Sequence, residues 1–98
     1  MRAIIGMTFG VLASTAAAAA NECATKAAYD RMTTGMSYKQ VVSLLGCDGE
    51  EISSSEMAGH KTVMYMWVGS GVSSLSGANM NAMFQNDKLV SKAQFGLK

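Results

Sequence analysis

The chain is 98 residues long, 49% hydrophobic and 15% charged, with eight Lys and Arg against seven Asp and Glu for a formal net charge of +1. That length has room for one small domain with a marginal core. The near-neutral balance, with no run of basic residues, argues against nucleic acid and anionic lipid surfaces as partners.

Met1-Arg2 is followed by an apolar run, Ala3 to Val11, and then by the alanine-rich stretch Leu12 to Ala20, the layout of a secretory signal peptide. Ala18 and Ala20 meet the small-residue requirement three and one positions before a cut, which places cleavage before Asn21. The stretch is short and alanine-rich for a span of about 20 strongly apolar residues, so stable membrane insertion is not expected. Asn21-Glu22 stands where a lipoprotein signal carries small residues, which disfavours lipid anchoring at Cys23. The expected product is one domain over residues 21–98, periplasmic or secreted, with seven basic and seven acidic residues.

Residues 21–32 (NECATKAAYDRM) carry Cys23, Ala27, Ala28, Tyr29 and Met32 at helical spacing and read as a first short helix. Thr33-Thr34-Gly35 turns the chain into a second helix over residues 37–45, whose stops are both written in the sequence. Ser37 with Gln40 forms a capping box, Met36 and Val41 have the spacing of a hydrophobic staple, and Gly46 supplies the left-handed residue that ends the helix. In an antiparallel helical hairpin the start of the first helix lies beside the end of the second. That brings Cys23 within reach of Cys47, the one pairing that two cysteines allow, and a bridge closing about 25 residues is worth roughly 3 kcal/mol in the chain-entropy model.

After Gly46 the periodicity changes. Residues 50–57 (EEISSSEM) follow the turn signal Asp48-Gly49 and suit an exposed or edge strand. Ala58-Gly59-His60 is a second turn, and Lys61 to Val68 is the strongest strand, apolar on both faces and therefore central. Residues 69–77 (GSGVSSLSG) read as a mobile loop. Residues 78–85 and 88–95 form a hairpin about Asn86-Asp87, with 84 opposite 89, 82 opposite 91, 80 opposite 93 and 78 opposite 95. That register puts Ala78, Met80, Ala82, Phe84, Leu89, Ser91, Ala93 and Phe95 on the helix side, and Asn79, Asn81, Met83, Gln85, Lys88, Val90, Lys92 and Gln94 on the other. The expected fold is α+β, an N-terminal helical hairpin packed on a four-stranded antiparallel sheet.

The string GMSYKQVVSLLG (residues 35–46), Tyr65-Met66-Trp67, and Met83 to Lys92 followed by Gly96-Leu97 resemble the small exported domains built like one repeat of the β-lactamase inhibitory protein. The chain is similar, more distantly, to the outer-membrane-assembly lipoproteins of the SmpA/OmlA type. The resemblance covers nearly all of residues 21–98 and implies a non-enzymatic module that meets a protein through its sheet. In the inhibitory protein two such units in tandem present an aromatic-rich concave sheet to the enzyme. With one unit, a high-affinity clamp calls for a homodimer or another partner geometry. The inhibitor's cysteines pair within the segment after the second helix, whereas here Cys47 has no later partner and a bridge must reach back to Cys23.

Tyr65 and Trp67 share one side of the central strand. They form a partner-binding anchor if that side faces away from the helices, and belong to the core if the methionines face out instead. Met83 and Val90 oppose each other in the expected hairpin register and add apolar surface. Met64 and Met66 alone have ligand-like proximity for Cu(I), with adaptable packing accounting for the other methionines. His60, the only histidine, sits in a turn, and no serine, histidine and carboxylate stand in a recognisable catalytic context. The sequence thus points to an exported, non-enzymatic protein-binding module of the bacterial envelope without cofactor or metal, either an inhibitor of an extracytoplasmic enzyme or an accessory to envelope assembly. Its partner is a protein the sequence does not identify. The reading from a different class is a methionine-based Cu(I)-binding periplasmic protein.

Overall fold

The computed structural model of the chain describes residues 21–98, and the leader expected over residues 1–20 lies outside the described residues. In chain order the elements are strand β1 (Glu22–Ala24), helices α1 (Lys26–Arg31) and α2 (Tyr38–Leu45), strands β2 (Glu50–Met57) and β3 (His60–Gly69), a 3₁₀ turn (Gly71–Ser76), and strands β4 (Asn79–Gln85) and β5 (Lys88–Phe95). The α+β class stands. The sheet, however, is mixed and five-stranded, because residues 22–24 form a strand where the sequence suggested helix.

Strand β1 exists because β3 outruns β2. The ladder between β2 and β3 ends at Glu50 opposite Met66, and beyond it the edge of β3 still presents backbone groups that need partners. β1 takes that place in parallel orientation. The Val68 amide donates to the Asn21 carbonyl at 2.9 Å, and the Ser70 amide donates to the Ala24 carbonyl at 2.9 Å. Thr25 then starts α1 late, with an extended backbone and a hydroxyl that accepts from the Ala28 amide at 3.2 Å. Cys23 on β1 is bridged to Cys47 just beyond α2, with Cα atoms 6.1 Å apart.

Helix α2 has the local geometry its sequence dictates. The Ser37 hydroxyl accepts from the Gln40 amide at 3.2 Å, the Gln40 side-chain oxygen accepts from the Ser37 amide at 2.9 Å, and Gly46 closes the helix at φ 101°. Its buried residues are Val41 and Leu45. The linker between the helices docks on the start of β5, where Gly35 donates to the Leu89 carbonyl (2.9 Å) and Leu89 donates to the Met36 carbonyl (2.8 Å). That contact caps the outer edge of the sheet at this point.

Both hairpins turn on two left-handed residues, Ala58-Gly59 (φ 53° and 82°) and Asn86-Asp87 (φ 51° and 63°), the geometry that matches strand twist. The two turns are tied together by the Asn86 amide on the Lys61 carbonyl (2.8 Å) and the Lys61 amide on the Asn86 side-chain oxygen (2.9 Å). The segment expected as a mobile loop is a 3₁₀ turn instead. Its serines fold back on it, with the hydroxyls of Ser73, Ser74 and Ser76 donating to the carbonyls of Ser70, Gly71 and Ser73 at 2.7–2.9 Å.

The hairpin register departs from expectation at a bulge. Phe84 pairs with Leu89 as expected, but Met83 pairs with Ser91, Ala82 with Lys92, Met80 with Gln94 and Asn79 with Phe95. Val90 is the extra residue, and every side chain after it changes sides. A second bulge at Ile52 separates Glu51 opposite Tyr65 from Ser53 opposite Met64. The core lies between the helices and one face of β3, β4 and β5, with Trp67, Met80, Ala82, Phe84 and Leu89 from the sheet meeting Met32, Val41 and Leu45.

Candidate protein-binding surface

The two faces of β3 are unequal. Trp67 is 0% exposed, and its indole N–H donates to the Cys47 carbonyl at 2.9 Å. It is therefore a core residue rather than a partner anchor, because the bridged segment after α2 folds over it. Gly49 makes that possible, since a Cβ there would lie 2.7 Å from the six-membered ring of the indole.

Tyr65 shares this side but lies at its margin, half-buried. It stacks on Tyr38 with ring centroids 4.2 Å apart, and Phe84 meets both rings edge-on at 5.8 Å. The Tyr38 hydroxyl donates to an Asp48 carboxylate oxygen (2.9 Å) and accepts from the Gly49 amide (3.1 Å), while its own backbone amide donates to Asp87 (3.1 Å). Burial first, and the contact with Asp48 second, push the Tyr38 phenol up to about 12. Tyr65 is also raised, by burial and then by the nearby carboxylates of Glu51, Asp87 and Asp48. Both phenols are thus neutral at physiological pH and are not poised as bases. Beside them a shallow groove of about 300 Å³ runs between Lys61, Val63 and Asp87.

Among the described residues no helix covers the other face of the sheet. Strand alternation puts Met64, Met66 and Val68 of β3 on it, with Asn79, Asn81 and Met83 of β4 and, after the bulge, Ser91, Ala93 and Phe95 of β5. The methionines and Val68 are half-buried, and Phe95 is 65% exposed. Met83 therefore stands where the sequence placed it, on the uncovered side, but opposite Met64 and Ser91 rather than Val90. Val90 is 43% exposed in the bulge and forms no cross-strand pair. Lys92 and Gln94, expected on the open side, turn inward. The Lys92 ammonium donates to the Tyr29 carbonyl at 2.6 Å and sits 4.2 Å above the Tyr29 ring, and the Gln94 side-chain oxygen accepts from the Leu97 amide at 3.0 Å. The centre of the open face is thus apolar and amide-bearing, with charge displaced to its margins, a composition that suits the middle of a protein interface.

Against this geometry, a family model described as beta-lactamase inhibitor (BLIP) matches residues 25–98. The chain belongs to the BLIP family. Among solved structures, this BLIP-family chain is similar to a protein of Streptococcus mutans described as a candidate beta-lactamase inhibitor protein, at 29% sequence identity and a TM-score of 0.65, over 79% of this chain and 48% of that one. The chain thus spans about half the length of that relative. No curated protein matches it. The BLIP family is named for inhibitors rather than enzymes.

Sequence reasoning missed Phe95, and did not settle that Met64 and Met66 face outward. The alternation of residues 91–95 argued the wrong way for Phe95, since a bulge leaves no mark in hydropathy. For β3, apolar residues on both faces left the choice open. The signal that could have decided it is Gly49, a position without a side chain eighteen residues before the tryptophan. Among the described residues no three His, Cys, Asp or Glu side chains cluster as a metal site, and none of the helices is long and apolar enough to cross a membrane. His60, expected in the turn, is instead the exposed first residue of β3, its Nδ1 3.2 Å from the Asn86 amide nitrogen.

Proposed function

We propose that this chain is an exported, non-enzymatic module that binds an extracytoplasmic enzyme through the uncovered face of its sheet and blocks it, acting as an inhibitor of the BLIP kind. The observation that carries this reading is the asymmetry of the sheet. One face is sealed by helices around Trp67, while the other leaves Met64, Met66, Met83 and Phe95 in contact with solvent with no part of the described chain to cover them. Export accords with the bridge between Cys23 and Cys47, which suits an oxidising compartment. Residues 21–98 are read as one functional unit.

The direct test measures inhibition of a panel of purified β-lactamases and other periplasmic hydrolases by the protein, with affinity followed by calorimetry. Met66→Glu and Met83→Lys, each placing a charge in the centre of the open face, are expected to weaken binding at least tenfold. Lys39→Glu, on the exposed side of α2, should leave it unchanged. Loss of binding in the Lys39 variant with retention in both methionine variants would move the interface to the helical side and refute the assignment.

A further inference from the structure

We propose that the open face carries a soft-metal site, in which the thioethers of Met64, Met66 and Met83 together bind one Cu(I) ion. The sequence by itself brings two of these residues together, as neighbours at i and i+2 on β3. The register between β3 and β4 adds the third, because Met83 is the direct partner of Met64. All three are half-buried on the same uncovered face.

The spacing suits a trigonal set. Directly paired Cα atoms in an antiparallel ladder are about 4.5–5.5 Å apart, and residues two apart on one strand are about 6.8 Å apart. Three sulfurs bound at about 2.3 Å, a usual metal–sulfur length, lie about 4 Å from one another. Methionine has three rotatable side-chain bonds, so the sulfurs can converge over the pleat without moving the backbone.

The donor chemistry selects the ion. Thioethers are neutral, soft ligands that favour Cu(I) over zinc, calcium or magnesium. The two thiols of the described chain are consumed in the bridge between Cys23 and Cys47, so thioethers are its available soft donors. Glu50 is the cross-strand partner of Met66, so an acidic residue stands at the margin of this face. Thioethers also have no proton to lose, so binding here does not compete with protonation, in contrast to sites built from cysteine or histidine.

The test titrates the full protein, oxidised and in chloride-free buffer, with Ag(I) as a redox-stable probe, following heat and the methyl-¹³C signals of its methionines. Competition with a chromogenic chelator extends it to Cu(I). The expected result is one equivalent bound, with the methyls of Met64, Met66 and Met83 shifting together and those of buried Met32 and Met80 unmoved. Affinity should be constant between pH 5 and 8. Met64→Leu and Met83→Leu, near in volume, should each weaken binding at least tenfold without altering the far-ultraviolet spectrum, while Met57→Leu should not. Binding no tighter than to free methionine overturns the proposal, as does unchanged affinity in the two leucine variants or a tenfold loss per unit of falling pH.

Discussion

Adding a single methyl group at Gly49 tests how the core is assembled. A Cβ at that position would lie 2.7, 2.7 and 2.9 Å from Cε2, Cζ2 and Cη2 of Trp67, where carbon atoms prefer roughly 3.5–4.0 Å. Each contact is thus short by about 0.6 Å or more, and the ring has little freedom to withdraw. It is 0% exposed, and its N–H is held by the carbonyl of a bridged cysteine. Gly49 is not among the residues with positive φ, so alanine is tolerated by the backbone and the effect isolates the steric clash. Overpacking of this kind costs about 1–3 kcal/mol, and the pinned ring argues for the upper half of that range. For a domain of this size that corresponds to a drop of roughly 10–20 °C in Tm. Thermal and urea unfolding of Gly49→Ala should show it. In the Trp67→Phe background the far ring is gone, and the added methyl should then be neutral or slightly stabilising, giving a coupling of at least about 1 kcal/mol in a double-mutant cycle. A wild-type melting point for Gly49→Ala, or an equal penalty in both backgrounds, would show that the glycine is not there to seat the indole.

Reduction of the bridge between Cys23 and Cys47 opens a loop with a sequence separation of 24 and should lower stability by about 3 kcal/mol, read as a fall in the urea midpoint with dithiothreitol. Because the Tyr38 phenol is raised to about 12 from an unfolded value of 10.0, the folded state keeps its proton where the unfolded chain has lost it. The associated stability is therefore complete below pH 10 and declines between pH 10 and 12. Absorbance titration at 295 nm should show that late-titrating tyrosine, and Tyr38→Phe should remove both the late step and this part of the alkaline decline. Lys92→Ala strips the Tyr29 carbonyl of its donor and its ring of the ammonium, so a loss of about 1–2 kcal/mol is expected in chemical denaturation. A silent Lys92 variant would mean that β5 runs without the bulge and that Lys92 faces water.

Legibility from sequence followed how local the determining interaction was. Helix α2 could be read because Ser37, Gln40 and Gly46 act within one or two turns of chain, and the Asn86-Asp87 turn because its residue types tolerate positive φ. The bulge at Val90 could not, since it answers to the linker between the helices, which takes both backbone groups of Leu89 from more than fifty residues away. β1 was misread for a similar reason. Its glutamate and alanine suit helix locally, and only the unpaired edge of β3 at Val68 and Gly69 draws it into the sheet. The sequence was ambiguous at β3 itself, where both faces are apolar and Trp67 could only be assigned to the core once Gly49 and Cys47 were seen above it.

Strand β2 is held to β3 by backbone pairing from Glu50 to Met57, yet none of its eight side chains is buried. Its shape is therefore almost independent of its composition, and residues there can be exchanged with little cost to the rest of the molecule. For a protein engineer this is a ready place to build a library, varying Ser53 to Ser55 across many amino acids on a frame that stays constant. For a lineage under selection, the same tolerance lets a scaffold acquire new recognition by drift along one exposed ribbon while its interior is left alone.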